Sequence, residues 1–178
     1  GTVPVLFDNN NSLLVSYSSV IAEYIEEKHK ETKNFFGENF ARKAEARRIQ
    51  YWFDEKFYQE VSSHILNERF FNRYLPDVKS PNSEILRIAR GNLNVHMGYI
   101  EYLLESRKYL ASDQISIADF SAACQLSTLD YFGDINWSYY SVAKDWYSLI
   151  KSHKAFQEIL KDRVTNINPP EYYSNLDF

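Results

Sequence analysis

Several groups of residues in this chain carry side chains that chemistry could use. Ser16, Tyr17 and Ser18 precede a helical pattern. A serine hydroxyl there can cap the helix, while the free amides and dipole of the first turn favour a bound anion, so two uses of Ser18 stay open. Ser116 with Asp119 three residues on reads as a capping box, in which each side chain accepts from a backbone amide of the other's position. Trp137, Ser138, Tyr139 and Tyr140 put aromatic rings and hydroxyls into an expected loop. They either form a contact surface, since Trp and Tyr dominate interface energetics, or plug the loop onto its own core. Arg42, Arg47 and Arg48, near Glu38 and Glu45, make either a solvated face with i,i+3 and i,i+4 pairs or part of a dimer contact.

Other chemistries lack their signatures. The histidines at 29, 64, 96 and 153 show no spacing that places two metal ligands on one helix face. No Gly-x-Ser-x-Gly elbow, Walker loop or dinucleotide glycine pattern occurs. Cys124, the single cysteine, cannot form an internal disulfide; among Ala122, Ala123 and Leu126 it reads as a small buried hydrophobe, in keeping with a reducing, cytoplasmic setting. A net charge of −4, a pI near 5.6 and the absence of a basic run give a nucleic acid no electrostatic footprint. No apolar stretch approaches the roughly 18 residues of a membrane helix, and no signal-peptide pattern opens the sequence.

These residues need elements to hold them. With 5 glycines and 5 prolines in 178 residues, few turns can be built and long helices are expected. Residues 3–7 and 13–15 are short apolar runs around Asp8 and three asparagines, which reads as a hairpin. A helix with Val20, Ile21, Tyr24 and Ile25 at helical spacing follows, and then a linker over 31–37. From 39 to 74 no Gly or Pro interrupts a long helical pattern in which Ile49, Phe53, Phe57, Val61 and Ile65 step by four. Its aromatic residues Tyr51, Trp52, Phe53, Phe57, Tyr58, Phe70, Phe71 and Tyr74 could line a cleft, but their spacing favours a core. Pro76 and Pro81 bracket a loop, Ser83 is the expected cap of a helix reaching Ser106, and Gly91 and Gly98 inside it would permit close packing. Shorter helices are expected over 117–131, 141–151 and 154–164, followed by a tail.

The ordered set from Val3-Pro4-Val5-Leu6, through the helix that opens at Ser18, to Tyr109-Leu110-Ala111, Ile115-Ser116-Ile117-Ala118-Asp119-Phe120 and Trp146-Tyr147-Ser148-Leu149-Ile150 resembles the glutathione S-transferase superfamily. The resemblance implies a mainly α chain, the glutathione-transferase C-terminal helical bundle preceded by the last two strands and helix of a thioredoxin-like α/β domain. The implied division is 1–30 for the end of the thioredoxin-like domain, 31–37 for the linker, 38–167 for the helical domain and 168–178 for an extended tail. It further implies that Pro4 is the family's cis-proline, that the Val3 backbone faces the cysteinyl part of glutathione, and that Ser18 holds the γ-glutamyl carboxylate. Tyr17 stands where the family usually has Glu or Gln, and a neutral phenol cannot replace a carboxylate against an ammonium. The family's first strand and helix, with the residue that stabilises the thiolate, would lie before Gly1, so the natural protein is expected to be longer there.

The last ten residues, with Pro169-Pro170, Tyr172-Tyr173 and Leu176-Asp177-Phe178, resemble the ending of alphaproteobacterial glutathione-transferase-like proteins that localise with FtsZ at the division site. This implies a cytoplasmic interaction protein with a degenerate glutathione site and FtsZ as partner. Its contact surface would comprise Trp137, Tyr139, Tyr140, Tyr172, Tyr173, Leu176, Asp177 and Phe178, and a homodimer is implied by the wider family. Two other readings remain: a catalytic glutathione S-transferase whose electrophile site includes Tyr51, Phe53 or Phe57, and a purely structural helical module.

Overall fold

The computed structural model describes residues 3–29, 31, 34–75, 77 and 80–178. Gly1, Pro76 and part of the expected linker lie outside them. The chain begins with an antiparallel hairpin, β1 (Val5–Asp8) and β2 (Leu13–Ser16), in which Val5 faces Ser16 and Asp8 faces Leu13. Asp8 closes the turn: its carboxylate accepts from the Asn10 amide at 2.9 Å, from Lys28 at 2.5 Å and from the Tyr24 hydroxyl. The Lys28 ammonium, then the Tyr24 hydroxyl, hold this carboxyl well below its usual range. Helix α1 (Ser18–Lys28) is thereby tied back to the hairpin.

Helix α1 has no fully buried residue, and Val20 and Ile25 are exposed with Phe7 and Leu14 of the hairpin. Polar links join it to the rest of the chain. Glu26 accepts from the amides of Phe35 and Phe36, and Arg47 grips Glu23 through two hydrogen bonds at 2.7 and 3.0 Å. Arg47 and Arg48 therefore both cross between elements, Arg48 pairing with Glu45 on its own helix and donating to the Tyr99 hydroxyl of the helix over 83–104, whereas Arg42 pairs with Glu38 just ahead of its helix.

The expected single helix over 39–74 is composite. Helix α2 (Phe40–Tyr51), capped by the Asn39 side chain, runs into a π-helix over Trp52–Ser62, then α3 (Ser63–Arg69) and a 3-10 turn over Phe71–Tyr74. The step of four explains the π segment. On an α-helix each such step drifts by about 40°. On a π-helix, with roughly 4.4 residues per turn, the drift has the opposite sign. Alternating the two geometries keeps Ile49, Phe53, Phe57, Val61 and Ile65 on one face, and all five are completely buried.

Helix α4 (Ser83–Leu104) starts one residue earlier in effect than expected, because Asn82 rather than Ser83 caps it, accepting from the amides of Glu84 and Ile85. Gly91 and Gly98 do not serve close packing: a Cβ at either would meet nothing within 4 Å. Helix α5 (Ile117–Tyr131) passes through the centre of the bundle and keeps the Ser116–Asp119 capping box. Helix α6 (Ser141–Lys151) follows a 3-10 turn at Trp137–Tyr139. The helix expected over 154–164 is only α7 (Lys154–Gln157) and a 3-10 turn at Ile159–Lys161, after which Val164 bridges to Ile167. The fold is thus mainly α, a helical bundle preceded by two strands and a helix. Among the described residues, no helix is long and apolar enough to cross a membrane.

Candidate functional site

Two places in this fold bring the sequence-selected residues together. The first is the corner where β2 meets α1. The Val3–Pro4 bond is cis, and Val3 is 90% exposed. Tyr17 occupies the N-cap position with φ 71° and ψ 124° and gives no side-chain cap, so the expectation that Ser16 or Ser18 caps α1 is not met. Ser18 is the first residue of the helix, its side chain exposed. With no side chain capping it, the first turn offers free amides and an exposed hydroxyl, a donor set suited to a carboxylate. The exposed Tyr17 phenol supplies no charge for an ammonium. The corner therefore offers donors to a carboxylate and, in this pair, no charge to an ammonium.

An apolar groove of about 430 Å³ runs along the later turns of α1 at Ala22, Ile25 and Glu26, between Phe35 and Phe36 and the start of α5 at Ile117 and Phe120, and none of the corner residues lines it. Tyr51, Phe53 and Phe57 do not line it. Phe53 and Phe57 are core residues with no exposed surface, whereas Tyr51 is 70% exposed elsewhere. The aromatic stripe thus divides, with Tyr58, Phe71 and Tyr74 also facing solvent and Phe70 in ring contact with both Phe71 and Tyr74.

The second place is the far end of α5. Trp137 is buried, stacked on Tyr147 with centroids 4.9 Å apart, and its indole N–H donates to Asp130 Oδ1 at 2.7 Å. Tyr140 donates to Asn94, and Tyr139 stands out at 75% exposure. The segment 168–178 is not the extended tail expected. A 3-10 turn over Glu171–Ser174 buries Tyr173, whose hydroxyl meets Ser127 Oγ at 2.9 Å. Phe178 folds back against Trp137 and stacks on the half-buried Tyr172. Of the residues expected to form a contact surface, Trp137 and Tyr173 are inside the molecule and hold it together, while Tyr139, Leu176 and Asp177 are exposed.

Sequence reasoning missed the charges beneath this layer. Asp130 of α5 and Lys151 of α6 are both 0% exposed, and Asp130 Oδ2 and Lys151 Nζ have no hydrogen-bond partner among the described residues. Burial pushes the Asp130 carboxyl up to about 6 and the Lys151 ammonium down to about 8, each shift opposed by the charge of the other. The signal was present in the sequence. Asp130 falls four residues after Leu126, and Lys151 four after Tyr147, so each puts a charge on an apolar helix face. Cys124 was misjudged in the other direction. It reaches the surface in a crevice of about 220 Å³ between α3, α5 and Val164, whose walls keep water from most of the side chain; that burial, and then the Asp54 charge, raise its thiol to about 11 and make it a poor nucleophile.

One histidine has partners of a kind that catalytic sites use. Trp52 Nε1 donates to His96 Nδ1 at 3.0 Å, which leaves the proton on Nε2 for Glu60 Oε2 at 2.9 Å. With both ring nitrogens engaged and burial lowering its proton affinity, His96 fastens α4 to the π-helix and offers no free nitrogen for proton transfer. Among the described residues no group of three or more metal-ligating side chains occurs.

No protein-family profile matches the chain. FtsZ-localized protein A of Caulobacter vibrioides is 41% identical over 180 aligned residues, which take in 100% of this chain and 78% of that protein. A solved structure of FzlA from C. crescentus superposes with a TM-score of 0.90 over 98% of this chain and 76% of that one, at 41% identity. The crystal structure of a glutathione S-transferase from Rhodospirillum rubrum F11 gives a TM-score of 0.91 at 38% identity, over 99% of this chain and 78% of its own. Identity of this order across the whole chain, on the same fold, makes the chain a member of the glutathione S-transferase-like proteins, in the group that includes FtsZ-localized protein A.

Proposed function

We propose that this chain works as a cytoplasmic interaction protein that acts with FtsZ in bacterial cell division, on a glutathione S-transferase fold whose glutathione corner is degenerate. The observation that carries the reading is the 41% identity to FtsZ-localized protein A along the entire chain. The aromatic end of the bundle supplies a surface for it. Tyr139, Leu176 and Asp177 are exposed above buried anchors, a combination of apolar, aromatic and acidic groups suited to a protein partner. The exposed apolar residues of the hairpin and α1 support a homodimer as the working unit. Co-pelleting with FtsZ filaments tests the reading: the complete protein is expected to pellet with filaments, and deletion of 169–178 to abolish this. Unchanged pelleting after the deletion would remove the surface assigned here.

A second reading, glutathione conjugation to hydrophobic electrophiles, draws on the cis Val3–Pro4 bond and on Ser18 at the start of α1. Ser18 and the first amides of α1 would hold the γ-glutamyl carboxylate, and the Val3 backbone would face the cysteinyl part. Calorimetric titration of glutathione into the complete protein separates the two. Saturation at or below low-millimolar ligand would favour the transferase, and absence of heat would leave the fold serving its surfaces.

A further inference from the structure

Phe178 occupies a seat made of charges and rings. Lys151 Nζ sits 3.9 Å from the centroid of its ring, and Lys144 Nζ, from the same helix, lies 5.1 Å away. Tyr172 stacks on the ring at 5.8 Å, while Trp137 and Tyr147 meet it edge-on at 5.4 and 6.1 Å. The groups that act on Lys151 are few: Asp130 from α5, Tyr147 from its own helix at 5.5 Å, and Phe178 itself. A buried ammonium without a hydrogen-bond partner is costly, and the face of an aromatic ring offsets part of that cost when the cation has been stripped of water. Removing Phe178 from its seat would uncover the one group that most needs covering.

Five residues earlier the same segment has a second anchor, the buried Tyr173 against Ser127, and the turn around it is closed by the Asn175 amide donating to the Tyr172 carbonyl. Leu176 and Asp177 are therefore suspended between two fixed points and face solvent. A loop held in this way loses little conformational freedom on binding, which is the advantage of preorganisation. We propose that Lys151 is a positioning residue: its ammonium holds Phe178 in place and so presents Leu176 and Asp177 to a protein partner as a short, doubly anchored loop. The partner surface this fits combines an apolar pocket for Leu176 with a basic side chain for Asp177. That part rests on the FtsZ reading; the anchoring does not.

The two can be tested apart in the complete protein. Phenylalanines carrying one, two and three ring fluorines in place of Phe178 leave the shape nearly unchanged and progressively weaken the attraction of the ring for a cation. Hydrogen exchange of the 168–178 amides is expected to quicken stepwise along this series, by about tenfold in all, and to show no such trend in a K151M background. F178L, which removes the ring but not the cation, should quicken exchange by at least as much, and serves if K151M fails to fold. Exchange that is the same for every ring, or a trend that persists in K151M, would overturn the anchoring. Co-pelleting with FtsZ filaments on the same proteins reads the other part. If exchange quickens along the series and pelleting is unaffected, the anchor stands and the FtsZ assignment of this loop falls.

Discussion

The two ends of α5 each bury an aspartate completely, and the two are treated in opposite ways. Asp119 accepts four hydrogen bonds: from the Leu110 amide at 2.9 Å and the Trp146 indole at 3.0 Å on Oδ1, and from the Ser116 amide and hydroxyl at 2.8 and 2.9 Å on Oδ2. Asp130 accepts one, from Trp137, and its other oxygen has no partner among the described residues. Burial raises the proton affinity of both, but at Asp119 every donor works against that push. A saturated carboxylate fixes a helix start and joins three elements. An unsaturated one, beside an unpartnered lysine and under a folded-back aromatic segment, is a local inconsistency of the kind that proteins keep where function needs it.

The largest effect should come from breaking the saturated end. Asp119→Ala leaves two backbone amides, a serine hydroxyl and an indole N–H without an acceptor inside the core, and is expected to cost at least about 3 kcal/mol. In a chain of this size that lowers the unfolding temperature by roughly 6 °C or more, measurable by calorimetry. A loss of under 1 kcal/mol would mean that Asp119 is not what holds the start of α5. Asp130 should respond less, and with a dependence on pH. Its native carboxyl is raised from 3.8 to about 6, so between these values the folded protein keeps a proton that the unfolded chain has lost. The resulting contribution is fully present below about 4 and is lost as pH rises to 6. Asp130→Asn keeps an acceptor for Trp137 and does not titrate, so its stability relative to the native chain should improve by about 1–3 kcal/mol as pH goes from 4 to 6.5. Thermal unfolding across that range checks the sign, and a difference that is flat with pH would show that Asp130 titrates normally.

How far this contrast could be read in the sequence follows from how local each feature is. The capping box at Ser116 and Asp119 is a matter of residues three apart, and the helix it opens spans 117–131 as the pattern implied. The hairpin and the helix at 141–151 were legible for the same reason. The π segment is encoded too, in the unbroken step of four from Ile49 to Ile65, which a single helical period does not fit. Burial that depends on distant partners was not legible. Nothing local says that Trp137 stacks on Tyr147, that Phe178 returns to Lys151, or that Tyr173 finds Ser127 across 46 positions. Residues that sequence alone marks as surface aromatics therefore turn out to be anchors, and the surface they leave is smaller: Tyr139, Leu176 and Asp177.

Trp146 and Tyr147 give the finest comparison, because they are neighbours on α6 that serve opposite ends of α5. The Trp146 indole donates to Asp119. The Tyr147 hydroxyl is buried beside Ser127, whose own hydroxyl meets Tyr173, and among the described residues it has no hydrogen-bond partner at normal geometry. Trp146→Phe takes a donor from a saturated site and leaves a void, at a cost of about 1–3 kcal/mol. Tyr147→Phe removes a polar atom that has been taken out of water with nothing in exchange, while keeping the ring on Trp137, so the change should stay within about 1 kcal/mol and favour the folded state. Unfolding of the two variants at one pH settles the order. Should Tyr147→Phe cost as much as Trp146→Phe, the hydroxyl must have a partner in solution, a bound water between Asp130 and Lys151 being the chemical species that both charges could share. The far end of α5 would then be as well satisfied as the near one.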